Sequence, residues 1–228
     1  MFPGGKNGSG VYQRIINQIP PHEVYIEAFA GSAAVWRYKR LAARSVLIDV
    51  DASTIARLND AGLSAGTIAV RGDAVRWLAV HKVHPGTMIY CDPPYLPSTR
   101  SKKNIYRHEM THVDHERMLE LLTSLNAMVA ISGYDSKLYR CVLDGWRRIE
   151  YDTMTRGGQR REILWMNYDE PQELHDYRYI GENFRERERF RRQQERWGRR
   201  LASMDRLQRL ALLSSIVEID DSRGNRRI

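Results

Sequence analysis

The sequence predicts an α/β domain built on a mostly parallel, seven-stranded sheet with an antiparallel edge strand, followed by C-terminal helices. Short apolar runs alternate with amphipathic stretches over the first 168 residues. Strands that alternate with helices favour a parallel sheet covered by helices on both faces. The last two apolar runs are joined by a short hairpin-like segment, which predicts the antiparallel edge strand. After Pro171 the composition becomes strongly basic, which marks a separate extension.

The predicted strands are segments rich in β-branched or large apolar residues. They are Val24–Phe29, Ser45–Val50, Thr67–Val70, Thr87–Cys91, Ala127–Ser132, Arg147–Tyr151 and Glu162–Asn167. The segments between them with helical periodicity are Gly10–Ile19, Ser32–Leu41, Ser53–Ala61, Ala74–Val80, Val113–Leu125 and Ser136–Leu143.

We predict one domain over residues 1–170 and a basic helical extension over 171–228. Within the extension, Asn183–Arg200 carries eight Arg and three Glu, and Leu201–Val217 is more apolar. We expect one or two helices over 171–217 and a frayed tail over 218–228. The Arg-rich part fits a phosphate-binding helix and equally a solvated helix with internal Glu–Arg pairs. The C-terminal helices are also a candidate homodimer surface.

The overall charge fits a partner with a phosphate backbone and, taken alone, equally fits a basic protein that binds no anionic partner. The formal net charge is +8 and the sequence pI is about 9.6. No run of 18 apolar residues is present, which argues against a membrane span, and the N-terminal segment lacks the apolar core of a secretory signal. Two cysteines support neither a disulfide framework nor a cysteine-rich zinc site. We therefore expect a cytoplasmic protein that binds no metal and does not associate with a membrane.

An acid, two prolines and a tyrosine directly follow the predicted strand Thr87–Cys91, as Asp92-Pro93-Pro94-Tyr95. Open α/β sheets bind ligands beyond the carboxyl ends of their strands. Two prolines remove two N–H donors and fix two φ angles, so this turn is stiff and extended. It presents an acceptor beside a stacking surface, which are the two features that an aminopurine needs. The alternative is a strand-ending turn with a solvated Asp.

A second motif, EAFAGS at 27–32, runs from a predicted strand through a small-residue turn into a predicted helix. The missing side chain at Gly31 allows close approach of a ligand, and N–H groups at a helix start can meet a carboxylate. The single glycine distinguishes the motif from the GxGxxG of dinucleotide folds. Taken alone, the segment is equally consistent with an ordinary strand–helix turn.

The order of Gly4-Gly5-Lys6, EAFAGS at 27–32 and DPPY at 92–95 resembles that of the Dam-like, D12-class adenine-N6 DNA methyltransferases. The resemblance covers about residues 3–168. It implies a Rossmann-like class I methyltransferase fold, S-adenosylmethionine as cofactor and double-stranded DNA as substrate. The implied reaction is site-specific transfer of a methyl group to adenine N6.

The resemblance also implies roles at matching positions. Asp49 would accept the ribose hydroxyls and Asp73 would meet the cofactor adenine. Each has an alternative as a helix N-cap, although Asp51 could replace Asp49 in that role. Lys6 would reach the cofactor from the N-terminal segment and Glu27 would lie near its methionine part. The residues implied around the cofactor are Lys6, Glu27, Phe29, Ala30, Gly31, Ser32, Asp49, Asp73 and Asp92.

The implied catalytic residues are Asp92, Pro93, Pro94 and Tyr95. Asp92 and the Pro93 carbonyl would accept the two N–H bonds of the adenine amino group, so that its lone pair points at the methyl group. Transfer would be direct and in line, and positioning and electrostatics would do most of the work. The target base must be flipped out of the duplex, and stacking on Tyr95 would return roughly 1–3 kcal/mol of that cost.

Two basic segments are the predicted phosphate contacts, Pro97–His108 and the hairpin Thr155–Arg161. Solvated loops are the alternative for both. The basic residues in question are Arg100, Lys102, Lys103, Arg107, Arg156, Arg160 and Arg161.

One departure from the Dam-like enzymes concerns target recognition. They usually carry a sizeable recognition insert before DPPY, whereas about 18 residues separate Asp73 from Asp92 here. Sequence reading would then fall to residues 97–108, residues 155–161 or the C-terminal helices, so the family's GATC target is not implied. The small size would suit a bacteriophage or mobile-element enzyme, with any restriction partner encoded elsewhere.

Three other functions stay open at this stage. A cytosine-N4 methyltransferase is disfavoured because those enzymes more often carry Ser in place of Asp92. An RNA adenine methyltransferase is open because no segment identifies a reader of the 2′-hydroxyl. A non-catalytic nucleic-acid-binding protein on the same scaffold is disfavoured by the presence of Lys6, Asp49, Asp92 and Tyr95.

Overall fold

The structure, a computed structural model, describes residues 6, 8, 10–100, 106–155 and 158–224. It divides into two compact units, Met1–Tyr179 and Ile180–Ile228. The sequence places this boundary nine residues earlier, after residue 170. The difference arises because the segment that follows residue 170 packs on the first unit. There, the His175 N–H donates to the Ile19 carbonyl at 3.0 Å, and Asp176 Oδ2 accepts the Arg40 N–H at 2.8 Å.

A seven-stranded sheet forms the centre of the first unit. Its strands are β1 Val24–Ala28, β2 Arg44–Asp49, β3 Thr67–Arg71, β4 Thr87–Cys91, β5 Met128–Gly133, β6 Arg147–Thr155 and β7 Gly158–Met166. They lie in the order β3-β2-β1-β4-β5-β7-β6. Strands β1 to β5 pair in parallel, whereas β7 is antiparallel to both β5 and β6. The predicted Rossmann-like methyltransferase fold is therefore confirmed. The antiparallel strand is β7, which lies second from the edge, whereas the sequence predicts it at the edge.

The predicted helices of this unit are present. They are α1 Val11–Ile16, α2 Ala34–Tyr38, α3 Ala52–Asp60, α4 Ala74–Val80, α5 His112–Ser124 and α6 Lys137–Val142. Three of them, α1, α2 and α6, are shorter than predicted. The predicted helix start at Ser32 is wrong, because Ala33 has a left-handed φ of 47° and the helix begins only after it.

Helices cover the sheet on both faces, and each face has its own core. On one face α1, α2 and α3 pack their apolar residues, including Ile15, Trp36 and Leu58, against the strands. On the other face α4, α5 and α6 contribute Leu78 and Leu119 among others. The core strand β4 is buried along its whole length. This three-layer arrangement is what near-continuous apolar strands require.

The second unit contains α7 Phe184–Ala202 and α8 Arg206–Gly224. Asn183 caps α7, and Arg191 pairs with Glu188 and Glu195 at 2.8 and 2.6 Å, as expected for a solvated helix. The predicted frayed tail is wrong as far as Gly224, because α8 continues to that residue. None of the helices in the described ranges is long and apolar enough to cross a membrane.

Candidate active site

A cavity of about 1000 Å³ opens at the carboxyl edge of the sheet, where β1, β2, β3 and β4 end. The chain crosses from one side of β1 to the other between β3 and β4, and open α/β sheets bind ligands at such switch points. Every residue that the resemblance assigns to the cofactor lines this cavity, although their roles stay predictions. These residues are Lys6, Glu27, Phe29, Ala30, Gly31, Ser32, Asp49, Asp73 and Asp92.

The turn after β1 has an unusual backbone. Phe29, Gly31 and Ala33 have φ values of 59°, 52° and 47°, in the left-handed region that non-glycine residues rarely occupy. A Cβ at Gly31 would meet nothing closer than the Phe29 carbonyl oxygen at 3.9 Å, so φ rather than space favours glycine there. Left-handed residues other than glycine cost about 1–3 kcal/mol each and cluster at functional sites.

Three acids follow β2 and β3, and they differ in whether they cap a helix or hold the turn after β1. Asp51 caps α3, which removes the capping alternative for Asp49. Asp49 instead accepts the N–H groups of Gly31 and Asp51 at 2.8 and 2.9 Å and thereby holds the turn after β1. Asp73 caps α4 through the Arg76 N–H at 2.9 Å and also lines the cavity. Its cap role does not exclude the predicted contact with the cofactor.

Lys6 joins side chains from β7 and from the turn after β4. Its Nζ lies 2.8 Å from Asp92 Oδ1 and 3.1 Å from Glu162 Oε2, and it donates to the Tyr95 hydroxyl. The Thr153 hydroxyl donates to Glu162 Oε1 at 3.2 Å. The side chains of Lys6 and Glu162 are each 4% exposed, and that of Asp92 is 20% exposed. One ammonium and two carboxylates are therefore held largely out of bulk water.

The charges of this cluster act on one another. Burial raises the pKa of Asp92, Lys6 lowers it and Glu162 raises it, and the resulting pKa is about 6. Burial lowers the pKa of the Lys6 ammonium, but Asp92 and Glu162 together raise it above its ordinary value. At neutral pH Lys6 is therefore charged, and Asp92 is mostly ionised but can still take up a proton.

Glu27 brings a further acid to the cavity wall. It is 3% exposed, and its Oε2 accepts the Trp36 N–H at 2.7 Å and the Tyr25 hydroxyl at 2.9 Å. Burial raises the pKa of Glu27 to about 7, although both hydrogen bonds oppose the shift. Its charge at neutral pH is therefore sensitive to whatever occupies the cavity.

Tyr95 is buried and is not among the described residues that line the cavity. Its ring is 3% exposed, with Lys6 Nζ 4.9 Å from the ring centroid and the Tyr134 ring edge-on at 4.5 Å. Stacking of a flipped base on this ring stays a prediction, and it requires one of these neighbours to move. Tyr106, which the sequence reasoning did not select, does line the cavity.

His115 of α5 lies near the Pro94 backbone and contacts Tyr139 of α6. His115 is fully buried, and its Nδ1 lies 2.9 Å from the Tyr139 hydroxyl. Burial lowers the pKa of His115 to about 4, against an opposing effect of the Pro94 backbone. The imidazole is therefore neutral at physiological pH and lies near the Pro94 backbone of the turn that carries Asp92.

The predicted DNA contacts in the segment after DPPY differ in accessibility. The Arg100 guanidinium makes two bonds to Glu109 at 3.0 and 2.6 Å, and its side chain is 4% exposed, so it presents little charge to a phosphate. Arg107 lines the cavity, is 72% exposed and pairs with Asp51 at 3.2 Å. Lys102 and Lys103 lie outside the described residues.

In the hairpin, Arg160 and Arg161 point to opposite faces. Arg161 lies across from Asp152 and makes ion pairs with Glu150 and Asp152, both at 3.5 Å. Arg160 lies across from Thr153, on the face that also carries Glu162. Because side chains alternate along a strand, only Arg160 shares the face of the Lys6 cluster. Arg156 lies outside the described residues.

The sequence reasoning missed Glu162, Tyr106 and His115. Glu162 was part of a predicted strand, and an acid in an otherwise apolar run (EILWM) is the one signal that could have selected it. Buried acids are rare unless paired, so such a residue predicts a partner in the fold. His115 and Tyr106 lie in polar contexts that give no comparable signal.

Several solved structures have a similar fold. They include an rRNA methylase from Streptococcus thermophilus, which is 15% identical, with a TM-score of 0.46 over 71% of this chain and 95% of that one. A SAM-dependent methyltransferase from Agrobacterium tumefaciens is 13% identical, with a TM-score of 0.45 over 68% and 58% of the two chains. Precorrin 8W decarboxylase from Methanobacterium thermoautotrophicum is 12% identical, with a TM-score of 0.46 over 74% and 100%. At these values the likeness carries no argument about reaction or substrate.

A family match covers part of the site. No curated protein sequence matches the chain. Residues 75–156 match the family model described as D12 class N6 adenine-specific DNA methyltransferase. The matched range contains Asp92–Tyr95 and β6 but neither Lys6 nor the turn after β1. Over residues 75–156 the resemblance drawn from the sequence is thus confirmed, and this part of the chain is similar to D12-class N6 adenine-specific DNA methyltransferases.

Proposed function

We propose that the chain transfers a methyl group from S-adenosylmethionine to N6 of adenine in double-stranded DNA. The observation that carries this proposal is the position of Asp92. It is a partly exposed acceptor, with a pKa of about 6, in the wall of a cavity at the carboxyl edge of the sheet. It also lies in the residues that match the D12 class.

The cavity residues fit S-adenosylmethionine. Each Asp49 oxygen accepts one backbone N–H, so lone pairs are left for two vicinal hydroxyls. Val50, Val75 and Met110 supply apolar lining for a purine ring. When bound, S-adenosylmethionine would supply an electrophilic methyl group, whose bond to sulfur breaks as its bond to the adenine nitrogen forms.

The chain's own residues would position the amino group and remove a proton. Ionised Asp92 can accept an N–H of the adenine amino group, and it can take the proton that the methylated nitrogen must lose and return it to water. Lys6 and Tyr95 both hydrogen-bond to the Asp92 carboxylate, and its two oxygens together offer further lone pairs for the target. Cys91 is fully buried and burial raises the pKa of its thiol, so it is not available as a nucleophile. Transfer would depend on positioning and electrostatics.

Three features support duplex DNA as the substrate. The net charge is +8, Arg107 is exposed at the cavity, and the β6–β7 hairpin projects beyond the sheet. The two hairpin strands pair over nine residues each, whereas β7 pairs with β5 only over 163–166. The projecting part carries Arg160 on the face of the Lys6 cluster. We infer that phosphates contact Arg107 and Arg160.

The test is methylation with tritiated S-adenosylmethionine and unmethylated duplex DNA, followed by digestion to nucleosides. An Asp92→Ala variant is run beside Asp60→Ala, a matched control at an exposed position at the end of α3. We expect label in N6-methyladenine from the wild type and the control, and none from Asp92→Ala. Label in N4-methylcytosine would overturn the base assignment, and label on RNA alone would overturn the DNA assignment. Cofactor binding without any label would favour a non-catalytic nucleic-acid-binding protein.

A further inference from the structure

The Lys6 cluster contains one carboxylate more than the proposed reaction uses. Lys6 at 2.8 Å would by itself neutralise Asp92. Glu162, on β7, is not among the described residues that line the cavity, yet its Oε2 lies 3.1 Å from the same ammonium. The Thr153 hydroxyl holds its other oxygen at 3.2 Å. Two carboxylates, the buried Glu162 and the partly exposed Asp92, therefore share one ammonium.

We propose that Glu162 is a positioning residue that divides the Lys6 ammonium between itself and Asp92, so that the cluster keeps one net negative charge facing the cavity. This inference rests on the proposed function. Through Glu162, β7 would help the site to bind S-adenosylmethionine, which carries a positive charge on sulfur, more tightly than the demethylated product S-adenosylhomocysteine, whose thioether is neutral.

The physical reason is the cost of an uncompensated buried charge. With both acids ionised, the cluster sums to one negative charge in a region shielded from water, where charges interact more strongly than in bulk solvent. A ligand with a positive charge relieves this cost, whereas a neutral thioether does not. The ratio of the two affinities therefore reports the net charge of the cluster rather than the shape of the cavity.

Among the charged groups that act most strongly on Asp92, Lys6 is the one cation. Arg160, on the same hairpin face as Glu162, is a further cation of this region, and its charge acts on Tyr134. Glu27 is a further acid on the cavity wall, and the buried phenols Tyr95 and Tyr151 are neutral because burial raises their pKa values. Lys39 lies over the Tyr25 ring, with its Nζ 4.2 Å from the ring centroid. It is buried, and burial lowers its pKa to about 8.

The test compares Glu162→Gln with Glu150→Gln, an identical change at an exposed position on the other face of the same hairpin. Calorimetry gives the dissociation constants of S-adenosylmethionine and S-adenosylhomocysteine for each protein. Removing one charge should reduce the relative preference for S-adenosylmethionine about tenfold in Glu162→Gln. Glu150→Gln should leave it within about twofold of the wild type, because its charge lies outside the cluster. Glu162→Asp, which keeps the charge, should retain most of the preference.

The outcomes separate this inference from the proposed function. If the wild type bound neither molecule, the proposed function would fail and the inference with it. If Glu162→Gln lost affinity for both molecules equally, its role would be structural and the inference would be overturned. The wild type offers a test that no folding defect can obscure. Sinefungin, which has an ammonium in place of the sulfonium, should bind at least about tenfold tighter than S-adenosylhomocysteine, and equal affinities would also overturn the inference.

Discussion

Replacing Lys6 with Met should raise the pH at which methylation begins. Asp92 can take up a proton from the methylated nitrogen only when it is ionised, so activity is expected above its pKa of about 6 and should be lost as the pH falls through that value. The Lys6 ammonium, 2.8 Å from Asp92 Oδ1, lowers this pKa. At an effective dielectric constant of about 20 the attraction is about 6 kcal/mol, which is an upper bound. An opposite charge this close shifts a carboxyl pKa by about 1–3 units, and we expect a shift of that size.

The assay is the pH dependence of kcat/KM for methylation of duplex DNA, because its acid limb reports groups of the free enzyme. Lys82→Met, an exposed lysine after α4, is the matched control and should keep the wild-type profile. Glu162→Gln should move the limb the other way, to lower pH, because Glu162 raises the pKa of Asp92. An acid limb that stays at the wild-type pH in Lys6→Met would refute the electrostatic role of Lys6, even if the rate fell.

Three further predictions follow from individual contacts. Asp49→Asn has one acceptor oxygen for two N–H groups, so thermal denaturation should show a loss of about 1–2 kcal/mol and calorimetry should show weaker cofactor binding. Arg160→Ala should reduce the slope of log DNA affinity against log salt concentration, measured by fluorescence anisotropy, by about the amount expected for one phosphate contact. Arg161→Ala should change this slope little, because Glu150 and Asp152 already balance the charge of Arg161. Gly31→Ala should cost about 1–2 kcal/mol because φ is 52°, and Gly145→Ala at φ 80° should cost the same; only the first should weaken cofactor binding.

Most of the fold could be predicted because the parallel strands are short, mostly apolar runs. The strands β1 to β5 agree with their predicted ranges within one residue at each end, and the central strands β1, β4 and β5 are buried along nearly their whole length, which leaves little choice of element. The hairpin strands extend further than predicted, because residues 152–155 and 158–161 are mostly polar and their pairing depends on backbone hydrogen bonds rather than on apolar side chains. The shortening of α2 depends on one left-handed residue, Ala33, for which the sequence offers no glycine as a signal.

The candidate cofactor residues could be found for a related reason. Apart from Lys6 and Glu27, they lie at or directly after strand ends, and parallel strands bring these ends to one edge of the sheet. Glu162 could not be placed in this way, because its direction depends on the register of an antiparallel pair. Glu162 faces Lys6 only because it pairs with Tyr151. If the pairing of β6 with β7 shifted by one residue, Glu162 would turn to the opposite face of the hairpin and Arg161 would take its place facing Lys6. The sign of the charge beside the turn after β4 is therefore set by the register of the hairpin, a non-local property that no motif encodes.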